Sequence, residues 1–248
     1  KCLNKRNFCF RVILLNNNIS LAEYTNWLAI GQNASGNFDG VEIIFAGHFD
    51  GQGNTVSGLS IDYNYADHQH KYTKYDGTEG TILCASAGLF GVAANCASVK
   101  NLTVEGSIVL NYSIPEGVDS YWNYVAGVVG QAYGARLENL TNKVTITSGP
   151  AHNNKTRFGG VVGRVCADAE VYIEKLTNEV DHNLSQGTGA AAWEFIGGGT
   201  IGMVADGSAF DLEIVDVTNN GKLTVVSSGY ANVGGVCGTI KAAAIDGG

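Results

Sequence analysis

GLFG at residues 88–91 is followed by GVVG at 127–130, GVVG at 160–163, GTIG at 199–202 and GVCG at 235–238. The copies start 39, 33, 39 and 36 residues apart. A second element follows each of the first four. It reads VKNLTV at 99–104, LENLTNKVTI at 137–146, IEKLTNEV at 173–180 and IVDVTNNGKLTV at 214–225. Two elements in strict alternation at a near-constant period mark a repeat architecture. The G-x-x-G piece is short, mostly β-branched and flanked by Gly. The second piece alternates apolar and polar residues as a half-buried strand does. Units of this kind bury their apolar faces only by stacking on neighbours. The expected fold is all-β, a parallel β-helix or solenoid. A β-propeller is disfavoured, because each repeat carries three strands rather than four and lacks the Trp-Asp blade signature.

Stacking places equivalent residues in columns about 4.8 Å apart. The third position of G-x-x-G predicts one apolar column of Phe90, Val129, Val162, Ile201 and Cys237. The second element predicts another of Leu102, Leu140, Leu176 and Val217. Beside it, Asn142, Asn178 and Asn219 form an expected Asn ladder, with amides bonded from turn to turn. Cys237 reads as a buried free thiol. Cys84 with Cys96, and Cys2 with Cys9, are candidate disulfide pairs.

Composition agrees with this reading. Gly contributes 34 of 248 residues, Pro only 2, and charged residues 15%. Apolar residues make up 45%, enough for a large core. The net charge of -8 and the absence of a basic cluster beyond Lys5-Arg6 argue against nucleic acid and anionic membranes as partners. No apolar run reaches the roughly 20 residues that cross a bilayer. The expected organisation is a lead-in over residues 1–44 and stacked repeats over 45–248, the last of them cut short. Within the lead-in, LAEYTNWLAI at 21–30 has a helical spacing of apolar residues. Ser20 and Glu23 form a capping box before it. A short capping helix over about residues 20–30 is expected.

The chain resembles the GLUG-repeat family of bacterial surface proteins, named for its G-L-[FY]-G element. The element is literal at Gly88-Leu89-Phe90-Gly91. The family's lead-in is matched by Phe45, Gly47, Phe49, Asp50, Gly51, Gly53, Asn54, Thr55, Val56, Gly58 and Leu59. The resemblance covers about residues 20–248. It implies a right-handed β-helix displayed outside the cell, in proteins that adhere, assemble or act as stalks. It carries no catalytic residues across.

No nucleophile elbow, zinc-protease motif or phosphate loop occurs, so the chain is expected not to be an enzyme. No cofactor and no metal are expected. Asp39, Asp50, Asp62, Asp67 and Asp76 qualify as acids by type only, and Asp50 in its F-D-G turn reads as a backbone cap. His68 and His70 lack a third ligand. Insertions recur after the third strand of each repeat, over about residues 62–86, 111–124, 148–157, 182–194 and 227–232. They hold Tyr63, Tyr65, Tyr72, Tyr75, Tyr112, Tyr121, Trp122, Tyr124 and Trp193, which are the candidate binding residues. Seven N-x-[ST] sequons, at Asn18, Asn33, Asn101, Asn111, Asn139, Asn154 and Asn183, are candidate glycosylation sites. The expected function is that of a non-catalytic extracellular segment in structural assembly or adhesion. Its partners would be copies of itself or surface glycans and proteins. A polysaccharide-active enzyme is the weakest alternative.

Overall fold

The computed structural model describes residues 11–32, 44–64, 66–73, 77–83, 86–111, 122–149, 152, 155–166, 170–185, 194–205, 212–227 and 229–241. They form a parallel β-solenoid of three sheets, with one antiparallel hairpin, Gln69–Thr73 with Glu79–Leu83, at its side. Each coil begins with a short strand before the G-x-x-G turn. These strands are Ser86–Ala87, Asn123–Val125, Thr156–Gly159, Phe195–Gly198 and Ala231–Gly234, and they make a 5-stranded sheet. The turn leads into the strands Phe90–Ala94, Val129–Tyr133, Val162–Cys166, Ile201–Ala205 and Cys237–Ile240, a second 5-stranded sheet. A long third sheet carries the N-L-T element, in Ser98–Leu110, Arg136–Ser148, Val171–Asn178 and Leu212–Asn219.

Register follows the repeat. Val129 pairs with Phe90 and with Val162, Val162 with Ile201, and Ile201 with Cys237. Leu140 pairs with Leu102 and Leu176, and Leu176 with Val217. Phe90, Val129, Val162, Ile201, Leu102, Leu140 and Leu176 are buried, and Val217 is half-buried. Cys237, in the last described coil, is a half-buried free thiol. Simple alternation cannot put both Val99 and Leu102 inside, because they lie three residues apart. Asn101 solves this by adopting φ of 53°, and Asn139, Lys175 and Asp216 repeat the device at 51°, 57° and 56°. One left-handed residue per coil resets the pleat, and Asn tolerates that conformation better than most residues.

The Asn ladder explains the first glycine in three of the five G-x-x-G copies. Asn142 Nδ2 donates to Asn178 Oδ1 at 2.8 Å, and Asn178 Nδ2 donates to Asn219 Oδ1 at 2.8 Å. Each amide also bonds backbone two residues on, as in Asn142 Nδ2 to Val144 O at 3.2 Å and Asn178 Nδ2 to Val180 O at 2.8 Å. A Cβ on Gly127, Gly160 or Gly199 would collide with Asn142, Asn178 and Asn219 in turn. The two repeat elements therefore recur together because they pack on each other across the interior.

The expected N-terminal helix is absent. Residues 21–30 form turns and extended chain, and no helix occurs among the described residues. The backbone bonds that a helix would keep internal go instead to the solenoid. Leu21 N donates to Ser57 O at 2.8 Å, Trp27 N to Ser60 O at 2.8 Å and Ile30 N to Leu89 O at 3.0 Å. Ser20 Oγ accepts from Ala22 N at 3.3 Å, a tight turn rather than a capping box. Asn26 at φ 56° would interrupt a helix in any case. With Val12–Leu14 paired to His48–Asp50, and Ile19 to Val56, this segment is a further coil of the solenoid.

Two buried histidines give the fold a pH limit. His182 Nδ1 accepts the Ile146 N–H at 3.2 Å, so its Nε2–H donates to Asn178 Oδ1 at 3.0 Å. His152 Nε2 lies 3.0 Å from Thr156 Oγ1. Burial pushes each imidazole down to about 4, from 6.5. Both are neutral when folded and take up a proton more readily when unfolded. Their contribution is complete above pH 6.5 and is lost as pH falls from there toward 4. Linkage over that interval amounts to about 2 kcal/mol each at pH 5. Melting curves at pH 7.5 and pH 5.0 are expected to show this fall, and the His152→Gln, His182→Gln double variant to flatten it. Equal slopes in the two proteins would exclude these residues as its source.

Candidate functional site

The G-x-x-G turn folds each short strand back against the strand that follows. The fourth glycine permits the close approach: a Cβ on Gly130 would lie 3.0 Å from Tyr124 O, and one on Gly163 would lie 2.9 Å from Val125 N. Side chains that point away from the main core on these two strands therefore meet each other. They build a second apolar cluster of Cys166, Ile196, Met203 and Ala205, with Trp122 and Tyr133 half-buried against it. On one wall, Tyr124, Arg157 and Ile196 stack in register. The opposite wall carries Gln131, Arg164 and Met203, beside Tyr133, Cys166 and Ala205.

The result is a packed cluster whose apolar end is buried and whose other end is half-buried, aromatic and cationic. The Arg157 guanidinium lies 4.1 Å from the Trp122 ring centroid and 5.5 Å from that of Tyr124. Arg164 lies 5.3 Å from Tyr124 and 5.6 Å from Tyr133. Its Nη1 donates to Tyr124 OH at 3.2 Å and to Tyr133 OH at 3.0 Å. Tyr133 OH donates in turn to Gln131 Oε1 at 3.2 Å, and Gln131 Nε2 to Ser86 Oγ at 2.6 Å. Lys155 Nζ reaches within 5.7 Å of Trp122. Burial pulls Arg157 below its ordinary pKa, and the neighbouring Arg164 charge acts the same way, against the pull of Tyr124 and Glu194. Burial pushes the Tyr133 phenol up, so it stays protonated as a donor.

Of the residues singled out by sequence, the cluster brings together Trp122 and Tyr124 around Arg157. Tyr63 is not a binding residue of a loop. It ends the strand Thr55–Tyr63, where alternation turns Leu59, Ile61 and Tyr63 inward, and it is fully buried. Its hydroxyl donates to Asn123 Oδ1 at 3.3 Å. Tyr72 lies in the hairpin strand Gln69–Thr73. Tyr65, Tyr75, Tyr112, Tyr121 and Trp193 lie outside the described residues, as do Asn33, Asn154, Cys2, Cys9 and Cys84. Cys96 is disulfide-bonded, to a partner outside those residues. Arg157 and Arg164 were invisible to a search for basic runs. Their signal was positional: they flank one repeat element, in RFGGVVGR at 157–164.

The carboxylates are held in structural roles. Asp50 Oδ1 accepts from Gln52 N at 2.9 Å and from Asn101 Nδ2 at 3.0 Å, and Lys100 Nζ lies 3.4 Å from Oδ2. Slight burial raises its pKa, but Asn101, Gln52 and Lys100 together hold it below the usual range. Asp62 accepts from Asn111 at 2.6 Å, and Asp67 from Asn64 at 2.8 Å. Asp39 and Asp76 lie outside the described residues. His68 is buried against Tyr63, with ring centroids 4.7 Å apart. No group of three or more metal-ligating side chains occurs among the described residues. Asn183 is exposed on the strand His182–Ser185, and Asn18 is exposed with its Oδ1 accepting from Thr55 N at 2.9 Å. Asn139 Nδ2 is engaged, donating to Asn101 Oδ1 at 3.1 Å, as is Asn101 Nδ2 with Asp50.

No family model and no solved structure matches the chain. Over 160 residues it is 26% identical to halomucin of Haloquadratum walsbyi, a stretch that covers 63% of this chain and 1% of that protein.

Proposed function

We propose that this chain is a non-catalytic β-solenoid segment of a larger extracellular surface protein, working in structural assembly or adhesion. The unbroken register from Phe90 through Val129, Val162 and Ile201 to Cys237 carries this reading, because identical coils stacked on one core make a stiff spacer. Other observations agree. The described acids near the lead-in serve turns and ladders. The bonded Cys96 suits an oxidising compartment. The solenoid fold and the partial likeness to halomucin, a protein named as a mucin, are compatible with a surface-protein segment. The GLUG-type repeat belongs to the same proposal. Adhesion, beside pure assembly, is favoured by the half-buried aromatic and cationic cluster.

The test joins surface labelling of intact cells with negative-stain electron microscopy of the natural full-length protein. Labelled protein that forms rods or filaments is the expected result. A protein confined to the reducing cytoplasm, with Cys96 as a thiol, would overturn the proposal.

A further inference from the structure

We infer that the half-buried aromatic and cationic end of the cluster on the two 5-stranded sheets binds an acidic saccharide, through a carboxylate or sulfate held by Arg157 and Arg164. The inference rests on the extracellular reading above. Two guanidiniums share the Tyr124 ring, yet neither forms an ion pair among the described residues. Burying two like charges without a counter-ion is costly, and a fold keeps such a pair only when something offsets it. Cation–π stacking on Trp122, Tyr124 and Tyr133 offsets part. The donors are not used up. Nε of both arginines is buried with no acceptor. The Nη atoms of Arg157, and Nη2 of Arg164, make no hydrogen bond among the described residues, and both residues are only half-buried. Arg157, 4.1 Å from the Trp122 ring centroid, keeps its Nη1–Nη2 edge uncommitted, a pair that can receive an oxyanion by two parallel bonds, and Arg164 can add Nη2, its Nη1 being held by Tyr124 and Tyr133.

Among the described residues, the cations beside these rings are Arg157, Arg164 and Lys155, and the Glu194 carboxylate acts on Arg157. The net charge of the whole chain is -8, so a polyanion gains nothing from the rest of the surface and must be held locally. Half-buried Trp122, Tyr124 and Tyr133 add ring surface and hydroxyls around the charge, which suits the mixed apolar and hydroxylated faces of a sugar better than a bare inorganic anion.

Isothermal titration of the whole chain decides the matter, with four probes: a heparin octasaccharide, an oligogalacturonate, a neutral malto-oligosaccharide and poly-glutamate. Saturable binding of one or both acidic sugars, and of neither control, is expected; the oligogalacturonate arm separates carboxylate from sulfate recognition. Arg157→Gln should weaken binding about 10-fold or more, as loss of a charge-assisted pair does. Lys143→Gln removes the same charge on a different face and should change it less than about 2-fold. Arg157→Lys keeps the charge, loses the fork and should fall between. It also guards against misfolding of the Gln variant, since melting temperatures of all three are compared. Equal binding of the neutral sugar, equal or tighter binding of poly-glutamate, or equal losses in Arg157→Gln and Lys143→Gln would overturn the inference. Rods at the cell surface that bind none of the probes would overturn it and leave the structural reading standing.

Discussion

Val162→Asp is expected to destabilise the folded chain by about 3 kcal/mol or more, enough to lower the melting temperature by roughly 6–12 °C in a domain of this size. Val162 is fully buried at the centre of its column, between Val129 and Ile201. A carboxylate there finds no cation and no donor. It either loses its hydration or forces the coil apart, and each route also forfeits the packing of the valine it replaced. Val226→Asp is the matched control, since Val226 is 61% exposed and its substitution should cost within about 0.5 kcal/mol. Scanning calorimetry of the two variants separates a general effect of added charge from a core effect. An unchanged transition in Val162→Asp would remove the column from the account of the fold.

Asn178→Ala should cost on the order of 3–5 kcal/mol, more than its small change in volume suggests. Its Nδ2 donates to Val180 O and to Asn219 Oδ1, and its Oδ1 accepts from Asn142 Nδ2 at 2.8 Å and from His182 at 3.0 Å. Truncation leaves several buried groups without partners and no water to replace them. The loss should reach the neighbouring coils, so hydrogen exchange is the informative readout. Val144 N bonds Asn142 Oδ1 at 3.0 Å, and Ile146 N bonds His182 Nδ1 at 3.2 Å. Both amides are expected to lose protection in the variant. Protection unchanged at both would mean that the ladder is ornament upon a core held by apolar columns alone.

The columns, the Asn ladder and the three-sheet coil could be read from residues alone for one reason. A solenoid is nearly one-dimensional, so spacing in the chain translates directly into spacing in space. The alignment of GLFG with GVVG, GVVG, GTIG and GVCG is also the alignment of their strands. The αL reset at Asn101, Asn139, Lys175 and Asp216 left only a faint trace, because Lys175 conceals it where Asn and Asp announce it.

Elsewhere local pattern was overruled by distant partners. Residues 21–30 carry a helical spacing and a capping box, but their N–H groups find Ser57, Ser60 and Leu89 across the coil, and those bonds set an extended path. A loop tyrosine by sequence, Tyr63, became core because its strand runs on to pair it with buried Leu110 of the next coil. Arg157 and Arg164 flank one repeat element, RFGGVVGR at 157–164, but that placing does not say which rings they meet. Only the fold-back at the G-x-x-G turn brings Arg164 to Tyr124 and Arg157 to Trp122. By itself, then, the sequence determined the period, the stacking and the interior, since each depends on residues repeated at equal intervals. Tertiary structure decided the fate of the lead-in and the assembly of the aromatic and cationic cluster, since both depend on which surfaces meet when the chain folds back, and that is a property no interval records.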